Sequence, residues 1–391
     1  MRNIESNIWK LYVIKALQWF MLIMPIIVLF FQENGLSMKE ILLLQSIFSV
    51  GIILFEIPSG YFSDTIGRKK TIIIGCTFGV LGFMIYSISY GFMGFLIAEL
   101  TLGLGASFLS GTDSAILYDT LAETKREKEY SKIEGKMLAV GNFSEGIASF
   151  LGGFLALISL RTPFYIETIV MLSAIPFALT LIEPARQKYE QTESPIKEIA
   201  KIVKYSIHHN REIKWLIFYS GFVSASTLTM VWFIQPYFNL VGLPLAYFGV
   251  AWGILNFSVG IFSIYAHKFE KLIGRKKSLI SLIIISFIGY LILSILNSLW
   301  GIIFIFLFYF VRGINGPILK DYINKIISSN MRATVLSVKS LVGRLTFSII
   351  GPFIGWLADV YSLQAALLSS GSIFLLLGTT SLIFLHKNKA L

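Results

Sequence analysis

One cysteine, four histidines and few charges narrow what this 391-residue chain can do. Cys76 is alone, so no intrachain disulfide is available, and its place in an apolar run makes it a packing residue. His208, His209, His267 and His386 fall near segment ends without companions at ligand spacing, so no metal site and no cofactor are expected. Charged residues make up 14% of the chain against 55% hydrophobic, which is too apolar a balance to clothe a water-soluble globule. No clustered His/Asp/Ser set is visible, which argues against an enzyme, and no soluble output module accompanies the apolar segments, which argues against a signalling sensor.

What is abundant is apolar length. Crossing a bilayer takes about 20 apolar residues, and twelve such windows occur, near 9–31, 41–62, 71–90, 92–118, 136–160, 163–183, 213–239, 244–267, 278–297, 299–324, 333–357 and 362–385. The first is long enough to span and lacks a small-residue cleavage site, so it reads as a retained helix rather than a removed signal peptide. The expected fold class is therefore all-α integral membrane. High glycine content (32 residues) suits helices that must pack closely where apolar burial no longer drives association.

The formal charge of +11 marks topology rather than a nucleic-acid partner. With both termini on one side, that side collects Arg2, Arg68, Lys69, Lys70, Lys125, Arg126, Lys128, Lys132, Lys136, seven basic residues across 184–214, and the Lys268 to Lys277 cluster, whereas the other holds only Lys39 and Arg161. The positive-inside rule then makes the basic side cytoplasmic, in the cell's inner membrane.

The longest polar stretch, 184–212, separates a first half, 1–183, from a second, 213–391, with six windows each. Within it Ser194 can cap and Pro195 can start a helix, and Ile196, Ile199, Val203 and Ile207 share one face. An amphipathic linker helix on the inner surface is expected, its lysines meeting anionic membrane lipids. The halves repeat one another: Gly67-Arg68-Lys69-Lys70 recurs 207 residues later as Gly274-Arg275-Lys276-Lys277, and Gly153 and Gly355 lie 202 apart. Parallel six-helix repeats with substrate bound between them are a transporter design.

The segment Gly60-Tyr61-Phe62-Ser63-Asp64-Thr65-Ile66-Gly67-Arg68-Lys69-Lys70 resembles the signature loop of the major facilitator superfamily, Gly-x-x-x-Asp-x-x-Gly-Arg-Lys/Arg. With twelve spans and the repeat, the resemblance covers the whole chain. It implies that Gly60, Asp64, Gly67, Arg68 and Lys69 form a cytoplasmic gate, with Asp64 meeting the start of helix 11 near Arg332. Lys271 stands where Asp64 would stand in the second half. Other signatures depart from the drug-antiporter pattern: Glu99-Leu100-Thr101-Leu102-Gly103 lacks the helix-4 arginine, and Ala148-Ser149 replaces Gly-Pro ahead of Gly152-Gly153.

Ionisable groups inside spans are costly and usually face the bundle interior. Glu99, Gly103, Ala106, Ser110 and Asp113 fall within about 40° of one face of helix 4. On helix 5, Gly141, Glu145, Ala148 and Gly152 make a second stripe, and Glu145 leads the proton-coupling candidates, followed by Asp113, Glu99 and Glu56; a carboxyl in dry surroundings favours its neutral form and can load a proton as hydration changes. Arg312 and Arg344 are the matching cations, Arg344 expected near Glu56 and Arg312 near Asp113. If the two arginines lack acids in the cavity, an anionic substrate follows; if neutralised, a neutral or cationic amphiphile. Helices 1, 4, 7 and 10 line the cavity in the family, which nominates Gln18, Trp19, Trp232, Gln235, Tyr237 and Asn315, together with Asn142 on helix 5; aromatic walls with isolated amides suit organic molecules. The expected function is proton-coupled movement of a small amphipathic compound, outward, by a monomer, with uptake of a nutrient or metal-chelate as the alternative.

Overall fold

The computed structural model describes residues 4–185, 204, 206, 210–327 and 331–388. The expected linker helix with Ser194 and Pro195 lies outside the described residues. Helices run as α1 (Ser6–Gln18), α2 (Ile27–Glu33), α3 (Met38–Ile66), α4 (Arg68–Ile88), α5 (Gly91–Leu109), α6 (Thr112–Glu123), α7 (Tyr130–Leu155), α8 (Thr162–Thr180), α9 (Arg211–Leu240), α10 (Phe248–Ile295), α11 (Gly301–Ile326), α12 (Arg332–Val360) and α13 (Leu363–Lys387). Among the described residues, ten helical stretches are long and apolar enough to cross a membrane. One of them, Leu245–Ile295, has 51 residues, about 77 Å of helix at 1.5 Å per residue and so length for two crossings. Its turning point is Gly274, which has φ 79°.

The first window is not the single helix its hydropathy suggested. Residues 19–26 are non-helical between α1 and α2, because Pro25 supplies no amide hydrogen and disfavours helix in the residue before it. The freed Leu22 N–H donates instead to Glu167 Oε2 on α8, at 2.7 Å, and Gly152 lets α7 approach so closely that a Cβ there would lie 1.9 Å from the Leu22 carbonyl oxygen. Helix 1, taken as α1, the break and α2, completes twelve crossings.

By contact the chain divides into two compact units. The first comprises Met1–Leu36, Ile47–Lys188 and Pro244–Ile254. Here α4 packs on α5 through paired glycines, a Cβ at Gly105 falling 2.9 Å from the Gly75 carbonyl oxygen. Without strong hydrophobic drive between helices in lipid, such backbone proximity supplies the packing energy. Phe30, Phe31, Tyr86, Phe95 and Phe164 form an aromatic cluster. Arg161 closes this end, donating to the carbonyls of Tyr86, Ser87 and Ser89 (3.2, 3.0 and 2.9 Å) and to Asn34 Oδ1 (2.7 Å), with its guanidinium 4.1 Å from the Tyr90 ring. That bonding accounts for an arginine on the charge-poor side.

The second unit comprises Ser37–Ser46, Tyr189–Leu243 and Leu255–Leu391. Its most buried helix is α9, which packs on α11, α12 and α13. Tyr219, Tyr237 and Tyr290 tie α9 to α10, their hydroxyls donating to the carbonyls of Leu279, Leu296 and Ser226. The Asp359 carboxylate near the end of α12 accepts the Met38 and Lys39 amides at the start of α3, both at 2.8 Å, and a Cβ on Gly355 would be 2.6 Å from the Met38 carbonyl oxygen.

Candidate functional site

The signature loop is built on a left-handed residue. Gly67, at φ 109°, turns the chain from α3 into α4, a backbone conformation open chiefly to glycine. The first α4 amides then face outward as unsatisfied donors, and Glu183 takes two of them, Arg68 N to Oε1 and Lys69 N to Oε2, each at 2.8 Å. A carboxylate at a helix start is favoured by charge as well as by hydrogen bonding. Arg68 Nε sits 3.0 Å from Asp119 Oδ2 on α6. The loop is thus fixed by two acids of its own unit, while Asp64 is exposed on the last turn of α3. The repeat is rebuilt with different partners: Arg275, after left-handed Gly274, bonds Glu212 at 2.7 Å and lies 4.7 Å from the Tyr322 ring, whose hydroxyl donates to Glu270 at 3.0 Å.

A second ion pair between helices of the first unit joins α1 to α6. Lys15 Nζ on α1 lies 2.8 Å from Asp113 Oδ2 on α6, with side chains only 17% and 12% exposed. The expected partner of Asp113 was Arg312; Lys15 occupies that role, because α1 packs directly on α6. The other oxygen, Asp113 Oδ1, accepts the Ser114 amide at 2.8 Å, and Ser114 Oγ donates to Glu134 Oε1 on α7 at 2.6 Å. Glu134 Oε2 is buried with no hydrogen-bond partner among the described residues. Trp19 stands beside this group, with Lys15 Nζ 5.5 Å from its ring.

The remaining candidates are spread. Glu145 is half-buried on α7, Glu99 is buried near Tyr86, and Asn142 is exposed. Glu56, which was matched to Arg344, is exposed and accepts the Ser110 hydroxyl at 3.2 Å, a neighbour in its own unit. Gln18 and Trp19 are half-buried at the break in helix 1. Of the second-unit cavity candidates, Tyr237 is buried and its hydroxyl donates to the Leu296 carbonyl. Gln235 and Trp232 are also buried, and Asn315 donates to Ser224 Oγ at 3.0 Å. Arg312 is exposed on α11 and Arg344 half-buried on α12. Among the described residues no group of three or more His, Cys, Asp or Glu could hold a metal ion.

Residues 8–351 match the Major Facilitator Superfamily. The chain belongs to that family. It is similar to the MFS-type transporter YxaM of Bacillus subtilis (strain 168), 22% identical over 350 residues that cover 87% of this chain and 86% of that one. It is also similar to the class H tetracycline resistance protein of Pasteurella multocida, 23% identical over 364 residues, 88% and 86% of the two chains. The crystal structure of the nucleoside transporter NupG superposes with a TM-score of 0.81 over 98% of this chain and 99% of that one, at 13% identity. The protein is accordingly a multi-span membrane transporter of the major facilitator superfamily, with a small-molecule substrate.

Within that frame, sequence reading passed over Lys15, Glu134, Glu167 and Glu183. Lys15 and Glu167 each fall inside an apolar window and carried the same signal, charge within a span, that singled out Glu145. Glu134 sits just ahead of its window, and Glu183 is the last residue of the sixth window. Asp119 joins these through its bond with Arg68 of the signature loop.

Proposed function

We propose that this member of the superfamily is a proton-coupled secondary transporter that moves a small amphipathic organic compound outward across the cytoplasmic membrane. It works as a monomer, with the basic loops and both termini inside. The two six-helix halves work by alternating access, the mechanism their parallel repeat suits, and Asp64 belongs to the inner gate.

The observation that carries the coupling is the Lys15, Asp113, Ser114 and Glu134 chain. One ammonium and two carboxylates leave a formal excess of one negative charge in a largely buried setting. An uncompensated charge there is costly, so one proton brings the group to neutrality. Ser114 connects the two acids, and loading either one alters the bonding of both. Asp113 is therefore the coupling carboxylate this geometry favours over Glu145, and Trp19 beside it supplies an aromatic wall for an organic substrate.

Flux in proteoliposomes under an imposed pH gradient, followed with a panel of organic dyes, tests this reading. Accumulation that follows the gradient and is lost in Asp113→Asn supports it; accumulation indifferent to the gradient overturns the coupling, and accumulation on the opposite side overturns the direction.

A further inference from the structure

Negative charge is scarce in the helices that follow residue 212. From Ile213 to the end, the chain carries only three acids, Glu270, Asp321 and Asp359. Each is engaged: Glu270 accepts from Tyr322, Asp321 pairs with Lys325 at 2.6 Å, and Asp359 accepts the Met38 and Lys39 amides. On α11 and α12, four cations stand more than one turn inside the helix ends, Arg312 and Lys320 on α11 and Lys339 and Arg344 on α12. Among the described residues none of the four has an acidic side chain within ion-pair distance.

Depth separates the four into two kinds. At 1.5 Å per residue, about 9 Å of helix separates Lys320 from the basic end of α11, and about 11 Å separates Lys339 from that of α12. These two can reach the interface, and topology alone explains them. Arg312 lies about 21 Å from the basic end of α11 and about 17 Å from the other, and Arg344 about 18 Å and 24 Å along α12. Both are in the middle of a span, where the positive-inside rule asks for nothing and an arginine facing lipid is strongly unfavourable.

The surroundings of Arg312 are open. Arg312, Gly316 and Lys320 follow one another at four-residue spacing and so share one stripe of α11. Arg312 and Lys320 are exposed, and a Cβ placed on Gly316 between them meets nothing within 4 Å. Lys339 of α12 is near enough to Lys320 for their charges to repel. Both α11 and α12 pack on α9, so these two helices carry positive charge from their basic ends to mid-membrane, and among the described residues no acid lies within ion-pair distance of the four cations.

We infer that Arg312 and Arg344 form an anion-binding site, and that the transported compound is an amphipathic organic anion bearing a carboxylate, sulfonate or phosphate. The inference rests on the transport reading above. Guanidinium groups offer forked donors to such oxyanions, and Lys320 and Lys339 attract the anion along its way. The anion supplies a counter-charge for the two mid-span arginines.

Binding of two dyes of related ring system, the anion 5-carboxyfluorescein and the cation rhodamine 6G, to the full chain in phosphatidylcholine nanodiscs provides the test, with fluorescence anisotropy as the readout. Carboxyfluorescein is expected to bind more tightly than rhodamine, with Arg312→Gln and Arg344→Gln each weakening it about tenfold or more, Arg312→Lys weakening it less, and Lys320→Gln or Lys339→Gln about two- to threefold. Monodisperse variants that bind carboxyfluorescein as the wild type does, or a wild type that prefers rhodamine, would overturn the site. If phosphatidylglycerol in the nanodisc abolishes dye binding, lipid is the occupant and the substrate assignment falls; unchanged binding supports it. Flux of the same dyes in proteoliposomes separates the two readings. Rhodamine transport without carboxyfluorescein binding sinks the anion site alone, whereas carboxyfluorescein binding without transport of either dye sinks the transport reading alone.

Discussion

Lys15 and Asp113 meet at 2.8 Å across α1 and α6, and each is the other's compensation inside the first unit. Removing one charge strands the other in a poorly hydrated place, which typically costs about 3–5 kcal/mol, whereas removing both costs much less. Lys15→Met and Asp113→Asn are each expected to lower the unfolding temperature in detergent, and the double variant to recover most of the loss. A double variant no more stable than the worse single one would mean that the two side chains do not depend on each other.

Glu183 caps the start of α4 with both carboxylate oxygens. Substitution to Ala is expected to cost about 1–2 kcal/mol, the usual value of a helix cap, and to make the Arg68 to Lys70 turn more susceptible to protease. Glu183→Gln keeps an acceptor but forfeits the charge, and should fall between. Thermal unfolding of the two variants, read alongside limited proteolysis, checks the order.

Arg161 holds three carbonyls and Asn34 at once. Lysine carries the same charge but lacks the planar fork of donors. Arg161→Lys is therefore expected to be almost as destabilising as Arg161→Gln. Equal stability of the lysine variant and the wild type, measured by thermal unfolding, would show that charge alone matters there.

The signature loop was legible because its demands are local: a left-handed residue at Gly67, repeated at Gly274, and a basic run after each. The spans were legible because crossing lipid requires apolar length wherever the helix sits. What was not legible was the pairing. Asp113 was matched to Arg312 across the expected cavity, from helix 4 to helix 10, yet a pair is decided by which helices pack, and α1 brings Lys15 to Asp113. The break in helix 1 had a visible cause in Pro25, but its consequence, a freed Leu22 amide satisfied by Glu167, needed the position of α8. Tyr237 illustrates the same limit: the sequence marks a phenol on helix 7, and only the structure shows that its hydroxyl donates to the Leu296 carbonyl.

The signature acid Asp64 is expected to act on alternation rather than on folding. It is exposed at the last turn of α3, so Asp64→Asn buries no new polar group and removes little packing. Normal expression and unfolding temperature with flux reduced about tenfold or more in proteoliposomes is the expected outcome; unchanged flux would remove Asp64 from the gate.

Glu145 separates two accounts of coupling. It lies on the stripe of α7 that faces the break in helix 1: Gly141, one turn earlier, leaves only 3.1 Å between an added Cβ and the Trp19 ring, and Gly152 abuts Leu22. If Glu145 carries the transported proton, binding requires only its neutral form, so Glu145→Gln should retain substrate binding but lose accumulation against a gradient and the pH dependence of transport. If the Lys15, Asp113 and Glu134 group carries it instead, Glu145→Gln should leave gradient-driven accumulation intact, and Asp113→Asn should abolish it with binding preserved. The geometry favours the second outcome, because Asp113 has a cation and, through Ser114, a second carboxylate within hydrogen-bonding range. Measuring flux and binding for both variants on one preparation settles the assignment: loss of accumulation in Glu145→Gln alone returns the role to helix 5, and loss in both makes the two acids successive stations of one proton path.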